Sequence, residues 1–100
     1  MKVENMKSER TGKAVANQFV ITDNDHHTIW LQSYASMIAR IDNNSGVLLL
    51  DKDKWDYSRT TAKYRNAFVA TYFNSRYASR DGIKAGVEAG KIIMTELNNR

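Results

Sequence analysis

The chain changes its pattern of apolar and polar positions near residue 58. Before that point apolar residues come in short runs rich in β-formers, cut by polar turns. Gln18-Phe19-Val20-Ile21-Thr22 reads as a strand, since branched and aromatic side chains fit a pleated surface. Asp23-Asn24-Asp25-His26-His27 is a turn, because Asp and Asn bond nearby backbone. Residues 28–34 form the second strand of a hairpin, with Ile29, Leu31 and Ser33 on one face and Trp30, Gln32 and Tyr34 on the other. Ser36–Ile41 suits a third strand better than a helical turn, although its alternation is not clean. Asp42-Asn43-Asn44-Ser45-Gly46 is a strong turn signal, and Val47–Leu50 is a short buried strand.

From residue 58 the period becomes helical. Tyr57, Thr61, Tyr64, Phe68 and Tyr72 are spaced four, three, four and four apart, which makes one stripe. The Ser58 hydroxyl can accept an orphan N–H of the first turn. A break is expected near Ser79-Arg80-Asp81-Gly82, with Ser79 or Asp81 capping a second helix from about Gly82 to Leu97. Gly82, Gly86 and Gly90 recur every four residues, so another backbone is expected to approach that face. Packing within the chain is the favoured use of the stripe; a homodimer through it is the alternative. Residues 1–17 are polar and aperiodic and read as a flexible basic tail, with a short helix over 3–16 as the other option. The expected fold is α+β: one domain over 18–100, with a small antiparallel sheet over about 18–50 followed by two helices. Its core candidates are Ile29, Leu31, Leu49, Tyr57, Tyr64 and Phe68.

Composition narrows the chemistry. With 100 residues the chain forms one small domain, and with no cysteine it has no disulfide scaffold, thiol nucleophile or thiolate metal site. That fits a reducing compartment. The apolar run Val47–Leu50 falls far short of the ~20 residues that span a bilayer, so no membrane association is expected. Residues 1–5 carry charge without an apolar stretch, so no signal peptide is expected there. The net charge of +4 is unevenly spread: residues 1–17 carry +2, residues 18–57 carry −3 and residues 58–100 carry +5. Such asymmetry suits nucleic acid or another polyanion as partner, and equally a solvated surface that happens to be basic.

The densest region is Trp55-Asp56-Tyr57-Ser58-Arg59-Thr60-Thr61-Ala62-Lys63-Tyr64-Arg65-Asn66-Ala67-Phe68, which interleaves aromatic, hydroxyl and basic residues. Core packing of a capped amphipathic helix accounts for much of it. Nucleic-acid contact is a second reading. Arg59, Lys63 and Asn66 share an exposed face, and Thr60 can add a phosphate hydrogen bond near the helix start. Arg65 and Arg76 flank the stripe, eleven residues apart and nearly in line. The third reading is a protein-binding surface anchored by Trp, Tyr and Arg.

Other constellations fall away. His26-His27 with Asp23 and Asp25 has no further ligand cluster, and a solvated turn explains it. Asp51, Asp53 and Asp56 resemble a calcium loop, but Trp55 takes the fifth position, Asp56 the place of the glycine and Ala62 the twelfth. No phosphate-binding glycine loop is present, and no cofactor is expected. The chain does not read as an enzyme.

Gln32-Ser33-Tyr34-Ala35-Ser36-Met37-Ile38-Ala39, then Gly46–Asp51, then Trp55–Phe68 occur in that order. Together they resemble a family of small uncharacterised bacteriophage proteins, over roughly residues 18–69. The most specific piece is Tyr57-Ser58 followed by Thr60-Thr61 and Lys63. The resemblance implies a phage origin, a small sheet followed by a helix, and no activity that transfers. Two expectations are carried, the first motivated by the +5 charge of residues 58–100 and the second by the resemblance with the exposed aromatic and basic residues. The first is a non-enzymatic accessory protein of the host cytoplasm that binds DNA or RNA through Arg59, Thr60, Lys63, Arg65, Asn66 and Arg76, with Lys7, Arg10 and Lys13 adding attraction. The alternative is an inhibitor or modulator of a host protein, such as an anti-defence factor. A structural role in the virion is a more distant option.

Overall fold

A computed structural model describes residues 1–25 and 27–98; His26 of the first turn lies outside them. The elements are β1 (Lys2–Lys7), β2 (Ala14–Thr22), β3 (Thr28–Ser33), β4 (Ser36–Asp42), β5 (Val47–Asp51), α1 (Arg59–Tyr72), a 3-10 turn (Ser75–Tyr77), α2 (Arg80–Glu88) and β6 (Ile92–Thr95). The six strands form one sheet in sequence order. All neighbours are antiparallel except β5 and β6, which are parallel across the helical connection. The fold is α+β.

Four strands, β2 to β5, match the pattern-based reading, and the ends do not. Residues 2–7, expected in a tail or helix, pair with β2 as the outer strand. Met6 is buried there, and a register shift between Asn5 and Lys7 interrupts the pairing. The tail looked aperiodic because Lys2, Glu4 and Lys7 line an edge, where charge deters pairing with other chains.

The second helix stops at Glu88 rather than Leu97. Gly90 takes a left-handed φ of 74°. Its N–H donates to Val87 O at 3.1 Å, and the Lys91 N–H donates to Gly86 O at 2.9 Å, a Schellman ending. The β-branched pair Ile92-Ile93 then enters the sheet beside Leu48 and Leu49. The first helix also ends early, because Asn74 Oδ1 accepts from Arg76 N at 2.9 Å and starts the 3-10 turn. Arg76 is therefore not in line with Arg65 on one helix.

The glycine spacing is consumed inside the chain. A Cβ on Gly82 would lie 2.9 Å from Arg76 O and from Tyr77 Cα, and one on Gly86 would lie 2.5 Å from Ile92 Cδ1. Gly90 lies beyond the helix. The three do not form a free face for a second copy.

Two rows of paired residues build the core face of the sheet. One runs Val20, Leu31, Ala39, Leu50 and Met94; the other runs Ile29, Ile41, Leu48 and Ile92. A bulge opposite Leu31 and Gln32 leaves Ile38 unpaired, and both Ile38 and Ala39 are fully buried. Phe68, Val69 and Ile83 of the helices pack on these rows. Of the six core candidates, Leu31 and Phe68 are buried, and Ile29 and Tyr64 pack at the core margin. Leu49 points to the opposite face, since Leu48 and Leu50 take the inward positions. Tyr57 is 47% exposed, because it precedes the Ser58 cap and the helical period starts only at Arg59.

Asp51 ends β5 and ties two segments together. Its Oδ2 accepts from Asp53 N at 3.1 Å and Lys54 N at 2.9 Å, and its Oδ1 accepts from Leu97 N at 2.9 Å. Asn98 extends this closure: its amide bonds both Met37 N and Met37 O, as a further strand would. Burial pushes the Asp51 carboxyl up, but these N–H donors together outweigh it and hold the group below its ordinary 3.8.

Two expectations follow from this packing. Gly82→Ala should destabilise by about 1–3 kcal/mol despite alanine's better helix propensity, because backbone atoms occupy the space; urea unfolding reads it. Asp51→Asn should cost about 1–3 kcal/mol at neutral pH. The folded carboxyl binds protons less readily than the unfolded one, so its contribution is present above the ordinary carboxylate range and lost as pH falls through 3.8 and below. The variant's unfolding midpoint should therefore vary less with acid pH than the parent's.

Candidate nucleic-acid interface

Residues 52–58 cross from β5 to the start of α1, and one buried side chain holds them there. Arg65 is inward on α1, four residues after buried Thr61 and three before buried Phe68. It is 1% exposed. Its Nη1 donates to Trp55 O at 2.8 Å and to Asp56 Oδ1 at 2.8 Å. Its Nε and Nη2 donate to Asn66 Oδ1 at 3.2 and 2.8 Å. The guanidinium carbon lies 5.1 Å from the centre of the Trp55 ring. A desolvated charge is tolerated only when paired and hydrogen-bonded, and this group is both. Asp56 is shared: its Oδ2 accepts from Arg80 Nε at 3.0 Å, which ties the start of α2 to the same point.

The cap of α1 sits beside this clamp. Ser58 Oγ accepts from Thr61 N at 3.1 Å, and the Thr61 hydroxyl lies 3.3 Å from Ser33 Oγ on β3. The helix start is thereby fixed to the sheet as well as to its own loop.

Two shallow depressions lie on the helix side, and a third, lined by Glu4, Lys7, Glu9, Thr71 and Tyr72 among others, shares Lys7 and Glu9 with one of them. Of the first two, one, of about 380 Å³, is lined by Asp56, Ser58, Arg59, Ala62, Arg65, Asn66 and Arg80. The other, of about 310 Å³, lies where the β1–β2 hairpin meets α1; it has Lys7 and Glu9 on one wall and Lys63, Tyr64 and Asn66 on the other. Asn66 lines both, so the two adjoin at that residue. Their charged members are Lys7, Arg59, Lys63, Arg65 and Arg80 against Glu9 and Asp56, and both Arg65 and Arg80 pair with Asp56.

Of the residues expected at a binding face, Arg59 and Lys63 are exposed and line these depressions. Asn66 is half-buried, and its amide oxygen is occupied by Arg65. Arg65 is enclosed, which corrects its expected contact role: its position on the inward stripe outweighed the usual preference of charge for water. Thr60 is exposed on the first turn of α1 but borders neither depression, and Arg76 is exposed on the 3-10 turn, away from both. Asp56 and Arg80 were not foreseen in the site. They are nine residues before and fifteen after Arg65, separations that carry no periodic signal.

Among the described residues no three His, Cys, Asp or Glu side chains gather as a metal site would need, and no helix is long and apolar enough to cross a membrane.

The particular lineage comes from the sequence: residues 1–85 match a family of unknown function, DUF8033, and the chain belongs to it. That match takes in β1 and most of α2, a wider span than the phage-like resemblance over 18–69. No curated protein and no solved structure matches the chain.

The clamp makes an asymmetric prediction. Asp56→Ala leaves a buried guanidinium without its anion and should cost about 3 kcal/mol or more. Arg80→Ala removes only the 65%-exposed partner of the same carboxylate and should cost under about 1 kcal/mol. Urea unfolding of both variants checks the contrast.

Proposed function

We propose that this chain is a non-enzymatic accessory protein that binds nucleic acid along the groove between the β1–β2 hairpin and α1. The observation that carries the reading is the meeting of Lys7 and Lys63 on opposite walls of one groove. These residues are far apart in sequence, and the groove adjoins, at Asn66, the depression lined by Arg59 and Arg80. Such a line of cations suits a phosphate backbone, where neutralised phosphates release counterions. Exposed Thr60, on the first turn of α1, can donate to a phosphate where helix N–H groups also favour an anion. Arg65 is a positioning residue in this account, and Arg76 adds only to the general field. Phage origin and action in the host cytoplasm belong to the same proposal, on the strength of the sequence resemblance.

Fluorescence anisotropy with labelled single-stranded DNA, duplex DNA and RNA across a salt series tests the proposal. Sub-micromolar binding should weaken steeply with salt, and Lys63→Glu and Lys7→Glu should each flatten the log–log slope by about one phosphate contact. Wild-type binding no tighter than about 100 μM at physiological salt is generic basic-surface behaviour and would overturn it. An unchanged affinity in Lys63→Glu would do the same for the groove. A host protein would then be the better candidate partner.

A further inference from the structure

The sheet face opposite the helices carries a row that crosses all six strands. Paired register places Val3 beside Ile21, Ile21 beside Trp30, Trp30 beside Arg40, Arg40 beside Leu49, and Leu49 beside Ile93. Neighbours in the same strands, Val20, Leu31, Ala39, Leu50 and Ile92, face the helices. None of the six row residues belongs to the core cluster or to its margin. The ends of the row are open, with Val3 57% and Ile93 47% exposed, while Ile21 is 9% exposed, shielded by its neighbours. Phe19, Met37 and Val47 are half-buried and share this face by strand alternation. A contiguous apolar face of this kind marks an interaction site.

The chemistry of the row reads the same from either end: two aliphatics, an aromatic beside a cation, two aliphatics. Arg40 lies 5.1 Å over the Trp30 ring, has no ion-pair partner among the described residues, and holds a buried Nε with no hydrogen bond. We propose that a second copy of this chain docks on this face, with its two-fold axis running along the strands between β3 and β4. That axis sets Trp30 against the Arg40 of the second copy, Ile21 against its Leu49, and Val3 against its Ile93. Each guanidinium then meets the indole ring of the other copy rather than the other guanidinium head-on. Isologous interfaces need this self-complementarity, and sheets packed face to face keep their strands roughly aligned.

The second copy is favoured over an unrelated partner because every residue of the row finds its complement within the row. A nucleic acid fits this face poorly: Arg40 is the cation of the row, and Asp42 shares its face. Six strands at about 4.8 Å spacing and about 20 Å length give roughly 500 Å² per copy, or about 1,000 Å² in all. That is the lower end of specific interfaces and predicts a dimer with a micromolar dissociation constant. The two helix layers then lie outermost, so each basic groove stays open and the dimer presents two of them. The dimer itself does not rest on what the grooves bind.

Sedimentation equilibrium of the full chain from low to high micromolar concentration is the test. The mass should rise from 11.4 kDa towards twice that value. Val3→Lys alone and Ile93→Glu alone, both at exposed positions, should each shift the curve towards monomer. An equimolar mixture of the two variants should restore the dimer, because the introduced lysine then faces the introduced glutamate. Circular dichroism confirms that each variant is folded. A wild-type chain that stays monomeric throughout overturns the proposal and leaves the face for a different partner. A dimer indifferent to both variants, or a mixture that fails to recover, overturns this arrangement.

Discussion

A guanidinium enclosed by its own fold is the constraint on which the helix side of this protein depends. Arg65 enters the stripe of α1 where an apolar residue would ordinarily lie, between Thr61 and Phe68. Its charge must be satisfied there, because an unpaired buried ion costs several kcal/mol. Trp55 O, Asp56 and Asn66 supply the acceptors and the Trp55 ring supplies a face. Three structural decisions follow from one side chain. The loop after β5 folds over the start of α1, Asp56 turns inward, and Arg80 is drawn to the outer oxygen of Asp56. The exposed cations Arg59 and Arg80 then stand around one depression.

The sheet divides the protein into two surfaces with different physics. Towards the helices it is a closed apolar core, sealed at one end by Asp51 and Asn98, which bond backbone groups that the strands leave unpaired. Away from them it is a flat row of aliphatic and aromatic side chains with Arg40 among them. Electrostatic attraction is concentrated on the helix side and apolar area on the sheet side. The two proposed contacts, a polyanion on one side and a second copy on the other, would therefore not compete. β6 matters to the second role, since it extends the row by Ile93 and supplies the counterpart to Val3.

Much of the middle of the fold is legible in the sequence, for physical reasons. The Asp23–His27 and Asp42–Gly46 turns flank runs of β-formers, and Ser58 and Ser79 precede their helices as caps. Local signals of this kind survive because local hydrogen bonds create them. Long-range effects are illegible. The charged alternation of β1 looks like a tail unless its pairing with β2 is known. Gly90 looks like one more step of a heptad, whereas its left-handed backbone ends the helix and sends Ile92 into the sheet. On α1, the exposure of Arg59 and Lys63 was legible because it follows helical period. Arg65 was misread because residue type was weighed above position: Thr61 plus four and Phe68 minus three both point inward. Asp56 and Arg80 were invisible, since only the folded chain brings them together.

The central claim is that Arg65 is a buried, paired cation that positions the groove and whose charge is spent on Asp56 rather than offered to a ligand. Its Nε–H donates to Asn66 Oδ1, so the direct measurement is the solvent exchange of arginine Nε–H signals in proton–nitrogen NMR spectra. The Arg65 signal, assigned by its loss in Arg65→Lys, should persist at neutral pH while exposed arginines such as Arg59 and Arg76 exchange away. If every arginine Nε–H exchanges at the solvent rate, Arg65 is open to water and this account of the site is wrong.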